Sequence, residues 1–245
     1  MKSTHPKIEL HELFNGRLNL YQTKKGYRFS IDSILLGDFA SKKASGKVAD
    51  LGTGSGVLPV ILARQQKVES IIGIEIQKEL ADLAEKNISH NNCQKKVSIK
   101  CSDIKKVPEE FSPESFDMVI TNPPFYSLGA GRINPDSENA IARHEIKGNL
   151  NDFIAGSSFL LKSGGSFFAV YRPARLTDLV SEMRKNRIEP KAFQFVHPNK
   201  TESANIVLVE GIKGAGTETI ILPPLMLYKE DGKYTEQANA VFENI

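Results

Sequence analysis

Short apolar runs alternate with longer stretches of helical spacing over most of the chain. Five runs have the length and composition of strands: Val48–Leu51, Ser70–Ile76, Val97–Cys101, Phe116–Thr121 and Gly165–Tyr171. Four stretches have helical spacing: Leu58–Gln66, Lys78–Asn91, Leu150–Leu161 and Ala174–Asn186. Because strands that alternate with helices form a mostly parallel sheet with helices on both faces, this pattern predicts an α/β fold.

Hairpin signals flank this α/β region on its N-terminal side. Leu18–Gln22 and Tyr27–Phe29 lie on either side of a turn that contains lysine and glycine, and they predict a hairpin. A helix through residues 34–39 follows, with Ser30 or Asp32 as its cap.

Further hairpin signals lie towards the C-terminus. Ala192–Val196 and Ile206–Val209 are joined by a polar link without room for a helix, so we expect an antiparallel hairpin at one edge of the sheet. Asp231 and Gly232 mark another hairpin in the tail. We therefore expect three parts: a hairpin-helix addition at residues 1–45, one α/β domain at residues 46–214, and a tail at residues 215–245 packed on that domain.

The amino-acid composition indicates the cellular compartment of the protein better than it indicates its activity. A net charge of +3 is too small to indicate nucleic-acid binding by itself. The two cysteines, Cys93 and Cys101, and the lack of metal-ligand spacing favour a reducing compartment and no metal. The first 20 residues lack a signal-peptide core, and no apolar run approaches the roughly 20 residues of a membrane span, so we expect a cytoplasmic protein without a membrane partner.

A glycine-rich loop follows the first core strand. Asp50, Gly52, Gly54 and Gly56 are spaced as D-x-G-x-G-x-G, which lets the backbone approach a ligand closely. The dinucleotide-binding pattern G-x-G-x-x-G fails, because its third glycine position is Val57. An acid before the glycines suits an ammonium or sulfonium group and suits a pyrophosphate poorly. S-adenosylmethionine carries both of these cations and no phosphate.

Two more acids follow neighbouring strands. Glu75, which precedes Ile76, suits hydrogen bonds to both ribose hydroxyls, and Asp103 would reach an adenine amino group. Because ligands bind outside the carboxyl ends of parallel strands, we expect Asp50, Glu75 and Asp103 to line one crevice. A helix cap or a solvated turn is the alternative for each acid taken alone.

The fourth core strand leads directly into Asn122-Pro123-Pro124-Phe125. Two prolines stiffen this loop and leave carbonyls unpaired, so the Asn122 side chain and the Pro123 carbonyl are acceptors for both hydrogens of a planar NH2 group. Such acceptors favour a pyramidal nitrogen and stabilise the positive charge that develops on it during methyl transfer. Phe125 would stack on an extruded base. An ordinary Asn-Pro turn is the alternative.

A long loop follows these four residues and contains Arg143 and His144. Arg143 suits a phosphate and His144 suits a proton or an RNA contact, although a loop held by its own salt bridges is an equal alternative. A basic rim around the site could be formed by Arg28, Arg132, Arg172, Arg175, Lys200 and Lys213, with simply solvated side chains as the alternative.

The order of these motifs resembles that of a known family. The motifs are Gly26–Asp32, Asp50–Gly56, Asn122–Phe125, Ala142–Glu145 and Tyr171–Pro173. From about Leu10 to Gly214, the chain resembles the bacterial valine-tRNA adenine N6-methyltransferases, a branch of the class I small-domain methyltransferases.

The resemblance implies a Rossmann-like fold with a seven-stranded sheet whose last strands are antiparallel. It implies transfer of a methyl group from S-adenosylmethionine to an adenine N6 beside the anticodon, at position 37 of a tRNA. The cofactor-binding residues would be Arg28, Phe29, Asp50, Gly52, Gly54, Gly56, Glu75, Ile76 and Asp103. The catalytic residues would be Asn122, Pro123 and Phe125, and the substrate-binding residues Pro124, Tyr126, Arg143 and His144.

Other acceptors and one other class of protein stay open at this point. Related loops act on guanine N2 in ribosomal RNA or on a glutamine amide in a protein. A silent RNA-binding module on the same fold is the alternative outside enzymes, against which the intact Asp50 loop, Glu75 and Asn122 argue. The sequence does not indicate the oligomeric state or the role of the tail.

Overall fold

The computed structural model describes residues 8–13, 16, 18–23, 31–124 and 148–243, and these residues contain two sheets. The small sheet consists of β1 (Ile8–Leu13) and β2 (Leu18–Thr23). The large sheet consists of β3 (Gly46–Leu51), β4 (Val68–Glu75), β5 (Val97–Cys101), β6 (Phe116–Thr121), β7 (Leu161–Tyr171), β8 (Ile188–His197), β9 (Ile206–Lys213), β10 (Ile220–Ile221) and β11 (Leu225–Met226).

Seven α-helices are found in this part of the chain. They are α1 (Ile31–Ser41), α2 (Val57–Leu62), α3 (Lys78–His90), α4 (Val107–Glu110), α5 (Leu150–Leu160), α6 (Leu176–Lys185) and α7 (Glu236–Glu243). Two short 3₁₀ turns, Ile104–Lys106 and Pro173–Arg175, precede α4 and α6. Among the described residues, no helix combines the length and the apolar character that a membrane crossing requires.

The strand order of the large sheet is β10-β8-β9-β7-β6-β3-β4-β5, and β11 also pairs with β8. Neighbouring strands from β5 across to β7 are parallel, whereas β9 is antiparallel to both β7 and β8. This order confirms the predicted α/β fold and its antiparallel hairpin. The two-residue strands β10 and β11 pair parallel with β8 and extend the sheet beyond the seven expected strands.

Helices cover both faces of the large sheet, because side chains of each strand alternate between two apolar clusters. Val48 and Phe168 point into a cluster with α1, α2, α3 and α7. Ala49 and Phe167, their chain neighbours, point into a second cluster with α4, α5 and α6. Strands β3 and β7 are buried on both faces, and their sequences therefore contain runs of consecutive apolar residues, as is typical of parallel sheets.

The N-terminal hairpin contains a strand that was not predicted. β2 pairs antiparallel with β1, from Ile8 opposite Thr23 to Leu13 opposite Leu18. The predicted partner of β2, Tyr27–Phe29, lies outside the described residues, so that pairing stays a prediction. The β1 segment has a weak strand signal, because it has three apolar residues over only six positions, and its Ile8 and Leu10 are partly exposed.

Asn87 of α3 and Asn91, directly after this helix, hold the backbone of β2. Asn87 accepts from the N–H of Tyr21 at 2.6 Å and donates to the carbonyl of the same residue at 3.1 Å. Asn91 donates to the carbonyl of Asn19 at 2.7 Å. The buried Asn87 amide therefore forms the hydrogen bonds that a neighbouring strand would otherwise form with this edge of β2.

The tail forms the hairpin that Asp231 and Gly232 predicted, with an antiparallel bridge between Tyr228 and Tyr234. Gly232 has a φ of +77°, the left-handed conformation that such a turn requires. Helix α7 follows, and its Val241 contributes to the same apolar cluster as α1.

Candidate functional site

A cleft opens at the edge of the sheet where the parallel strands have their carboxyl ends. Strands β4 and β5 lie on one side of β3 and strand β6 on the other, and the cleft lies beside this change of side. It encloses about 580 Å³ including its open mouth. Its walls are formed by Gly52, Gly54, Ile74, Glu75, Ile76, Gln77, Leu80, Ile104, Asn122, Pro124 and Phe153. Ligands bind at such switch points in open α/β sheets, because the loops after neighbouring strands diverge there.

The glycine loop after β3 contributes backbone to this cleft. Gly52, Gly54 and Gly56 all have positive φ, so a side chain at any of them would be strained. A Cβ at Gly52 would lie 3.0 Å from the ring of Phe153, and a Cβ at Gly56 would lie 3.1 Å from Ala84. Gly52 and Gly54 therefore keep the cleft open, whereas Gly56 allows close packing between α2 and α3.

Glu75 joins the glycine loop to the end of β4. Its Oε2 accepts from the backbone N–H of Gly54 at 2.9 Å, and its Oε1 accepts from the backbone N–H of Gln77 at 2.9 Å. The side chain is only 5% exposed, yet it lines the cleft. Oε1 also accepts from the Nε2 of Gln77 at 3.2 Å. Oε2 therefore keeps a further lone pair for a ligand that enters the cleft, and Oε1 accepts from a ligand only if the Gln77 side chain moves.

Asp50 lies at the base of the loop and is fully buried. Its Oδ2 accepts from the Thr53 hydroxyl at 2.5 Å, whereas its Oδ1 is buried without a hydrogen-bond partner among the described residues. Burial raises the pKa of Asp50 from 3.8 to about 7, against the lowering effect of the Thr53 hydrogen bond, and the nearby Glu75 carboxylate raises it further. An unpaired buried carboxylate oxygen is costly unless a donor meets it.

Asp103 has a local structural role in this arrangement. Its Oδ1 accepts from the backbone N–H of Lys105 at 2.9 Å and caps the 3₁₀ turn that begins at Ile104. Ile104 lines the cleft, and Asp103 is not among the lining residues. The expected contact of Asp103 with a cofactor stays a prediction.

The loop after β6 supplies Asn122 and Pro124 to the opposite wall of the cleft. The hydroxyl of Thr121 donates to the carbonyl of Leu51 at 2.8 Å and ties the end of β6 to the end of β3. The Nδ2 of Asn122 donates to the Oγ of Ser33 on α1 at 3.1 Å. The acceptor loop and the glycine loop therefore face the same cleft, and Pro123 is buried between them and the core.

Comparison with known sequences decides the family. The profile described as "Methyltransferase small domain" matches residues 30–186, which is more than half of the chain. The chain belongs to this family. The matched region begins just before α1, so it includes the helix that carries Ser33.

The chain is also similar to a protein named tRNA1(Val) (adenine(37)-N6)-methyltransferase, of Bacteroides fragilis strain YCH46. The two chains are 27% identical over 154 residues, which are 63% of this chain and 64% of the relative. The match thus spans slightly less than two thirds of the length of that relative.

Solved structures of other methyltransferases share the fold. A protein described as a predicted O-methyltransferase of Agrobacterium tumefaciens has a TM-score of 0.71 at 22% identity, covering 87% of this chain and 96% of that one. The 16S rRNA N2 G1207 methyltransferase of Thermus thermophilus, in complex with AdoMet and guanosine, has a TM-score of 0.57 at 21% identity. That match covers 84% of this chain and 50% of the other. At these identities the likeness concerns the fold.

Several predicted site residues lie outside the described part of the chain: Arg28, Phe29, Phe125, Tyr126, Arg143 and His144. Their roles stay predictions. Conversely, the cleft includes Gln77, Leu80, Ile104 and Phe153, and Ser33 contacts Asn122, none of which the sequence analysis had assigned to the site. Phe153 and Leu80 carry no separate signal, because apolar residues at helical spacing are equally typical of a core.

Lys213 is not part of a basic rim around the cleft. This residue ends β9, which runs antiparallel to β7, so it lies at the opposite edge of the sheet from Asn122. Its ammonium group pairs with Glu114 at 3.1 Å and donates to the carbonyl of Leu161. Arg175 lies at the carboxyl edge, beyond the end of β7, but pairs with Asp178 of α6.

Proposed function

We propose that this small-domain methyltransferase transfers a methyl group from S-adenosylmethionine to an adenine N6 of RNA, in a tRNA beside the anticodon. The observation that carries the proposal is the shared cleft: Gly52, Gly54 and Glu75 line one side, and Asn122 lines the other. A protein that binds RNA without catalysing a reaction would not need the Asn122 amide opposite a loop that suits a cofactor.

The residues of the cleft fit S-adenosylmethionine. Asp50 is fully buried beneath the glycine loop and is not itself a lining residue of the cleft. Its Oδ1, which has no hydrogen-bond partner among the described residues, suits the ammonium group of the methionine part. Glu75 suits the two ribose hydroxyls, and the apolar side chains of Ile76, Leu80 and Ile104 suit the flat faces of a purine. The cofactor, when bound, supplies the electrophilic methyl group.

Asn122 would act on the nitrogen that accepts the methyl group. Its Oδ1 and the carbonyl of Pro123 would accept the two hydrogens of the exocyclic amino group, which makes the nitrogen pyramidal and its lone pair available. The same two acceptors stabilise the positive charge that develops as the new bond forms. Alignment of the lone pair with the sulfur–methyl bond that breaks contributes the remaining acceleration. The positively charged nitrogen formed by the transfer is acidic and loses its extra proton to water, so no strong base is required.

The choice of an adenine in tRNA rests on the name of the Bacteroides relative, together with the stackable Phe125 in the acceptor loop. A single-stranded anticodon loop offers unstacked bases that can enter a cleft of this size, whereas a base inside a duplex has to be extruded first.

The variant Asn122→Ala tests the reaction type. We expect turnover in a single-turnover assay with tRNA to fall by about 10²-fold or more, because one of the two acceptors is lost. The dissociation constant for S-adenosylmethionine, measured by calorimetric titration, should stay nearly unchanged. Asn239→Ala, on the exposed face of α7, is the matched control and should change neither quantity. An equal loss of turnover and of cofactor affinity in Asn122→Ala would contradict the assignment of Asn122 to the substrate.

A labelling experiment tests the acceptor. The protein is incubated with radiolabelled S-adenosylmethionine and, separately, with tRNA, rRNA, DNA and release factors from a strain that lacks the gene. Label in tRNA that elutes as N6-methyladenosine after digestion to nucleosides supports the proposal. Label in N2-methylguanosine, or in protein and not in RNA, overturns it. Binding of tRNA should also weaken steeply as salt rises, because phosphate contacts release counterions.

A further inference from the structure

One contact links the N-terminal helix to the acceptor loop. The Oγ of Ser33 accepts a hydrogen bond from the Nδ2 of Asn122 at 3.1 Å, across 89 positions of sequence. Ser33 is 4% exposed and lies near the start of α1, whose other side chains pack into the apolar core. The contact therefore belongs to a rigid part of the protein and not to a solvated surface.

The orientation of the Asn122 amide decides whether its side chain can accept a hydrogen bond from the amino group of the substrate. A half turn of the amide exchanges Oδ1 and Nδ2, which have nearly the same size, so packing alone distinguishes them poorly. With Oδ1 towards the substrate, the side chain accepts a hydrogen from the amino group. With Nδ2 towards the substrate, two hydrogen-bond donors face each other. The side chain then does not make the lone pair of the methyl-accepting nitrogen available.

We infer that Ser33 is a positioning residue that holds the Asn122 amide in the accepting orientation. In the observed contact its Oγ accepts from Nδ2, which leaves Oδ1 as the acceptor towards the cleft. A serine hydroxyl can also donate, so the opposite amide orientation would place Oδ1 against the Oγ of Ser33 instead, and the nuclear magnetic resonance experiment below distinguishes the two. Ser33 acts through Asn122 and does not touch the reacting atoms. This inference rests on the proposed function, and it makes α1, which belongs to the predicted addition at residues 1–45, part of the active site.

The variant Ser33→Ala removes the hydrogen bond and keeps the helix. We expect kcat with tRNA to fall about threefold to tenfold, the effect of losing one ordinary hydrogen bond, with KM for tRNA and the dissociation constant of S-adenosylmethionine nearly unchanged. Ser33→Thr keeps the hydroxyl and should restore most of kcat. Ser41→Ala is the matched control: Ser41 lies on the same helix and donates to the carbonyl of Asp38 at 2.8 Å, far from the cleft.

A double-mutant cycle separates positioning from a general loss of structure. If Ser33 acts through Asn122, then Ser33→Ala should have no further effect on kcat in the Asn122→Ala background. An equal fall in both backgrounds overturns the inference, as does a fall of kcat in Ser33→Ala that Ser33→Thr does not reverse.

Nuclear magnetic resonance gives a readout that does not depend on activity. The side-chain NH2 signals of ¹⁵N-labelled protein are assigned to Asn122 by their loss in Asn122→Ala. In Ser33→Ala, the two proton shifts of this group should move towards each other, and in Ser33→Thr they should keep the wild-type separation. Unchanged shifts in Ser33→Ala refute the contact itself. If instead the contact is confirmed but Asn122→Ala retains full turnover, the proposed function of Asn122 fails, and the inference about Ser33 falls with it.

Discussion

Asp50 should make cofactor binding depend on pH near neutrality. Because burial raises its pKa to about 7, the carboxyl group is mainly protonated in the free protein below that pH. A bound ammonium group requires the carboxylate, so the cofactor competes with a proton. Between about pH 5.5 and about pH 7, the ionised fraction rises roughly fifteenfold, and the affinity for S-adenosylmethionine should rise by a similar factor. Over this range the amino group of the cofactor stays mostly protonated, since such groups have a pKa near 7.7–8.0.

The same pKa has a consequence for stability, and its sign is the reverse of the usual one for an aspartate. The folded state binds more protons than the unfolded state between pH 3.8, the ordinary pKa, and about 7. The free energy of unfolding of the cofactor-free protein should therefore fall as pH rises through this window. A shift of roughly three units corresponds to about 4 kcal/mol at most. Above about pH 7 this contribution is constant.

Calorimetric titration in buffers of different ionisation enthalpy measures both affinity and proton release. Close to one proton should be released per cofactor bound at about pH 5.5, and about half as many at pH 7. Asp50→Asn should remove the pH dependence, and Thr53→Val should move its midpoint upwards, because the Thr53 hydroxyl lowers the pKa of Asp50. A dissociation constant that is the same at both pH values, or an unchanged slope in Asp50→Asn, would refute the reasoning.

Two further predictions concern the loops around the cleft. Asn87→Ala should lower the free energy of unfolding in urea by about 2–4 kcal/mol, because it leaves the backbone of Tyr21 and the carbonyl of Ser55 without their buried partner. An effect below about 0.5 kcal/mol would show that water replaces the amide. Gly52→Ala should weaken binding of S-adenosylmethionine at least tenfold, because the new Cβ meets the ring of Phe153 and the φ of +73° is strained. Full affinity in a calorimetric titration would contradict this.

Most of the sheet follows from the sequence because its central strands are buried on both faces. Strand β6 has the predicted bounds, since a mostly apolar run between polar turns leaves little freedom in where it ends. Strand β5, at the edge of the sheet, also has the predicted bounds, and its apolar and polar residues alternate. The β1 segment has a weaker signal, because its Ile8 and Leu10 are partly exposed and its partner is a single strand. The tail strands β10 and β11 have only two residues each, which is too short for any periodicity.

Site residues that directly follow the end of a strand could also be predicted from the sequence. Glu75, Ile76, Asn122 and Pro124 all line the cleft, because parallel strands bring their carboxyl ends to one edge. Asp103 satisfies the same rule, yet its side chain turns back to cap the following turn. The rule predicts where a residue lies along the sheet but not which way its side chain points.

The sequence by itself determined the order of strands and helices, the glycine loop that excludes a dinucleotide fingerprint, and the amide that follows the fourth core strand. These features depend on local spacing, which a single chain displays. Only the tertiary structure decided that Asp50 is buried with one oxygen that has no partner among the described residues, that Lys213 lies at the far edge, and that Ser33 contacts the amide of Asn122. Burial, strand direction and contacts between distant residues depend on how the elements pack together, and no spacing along the chain records that.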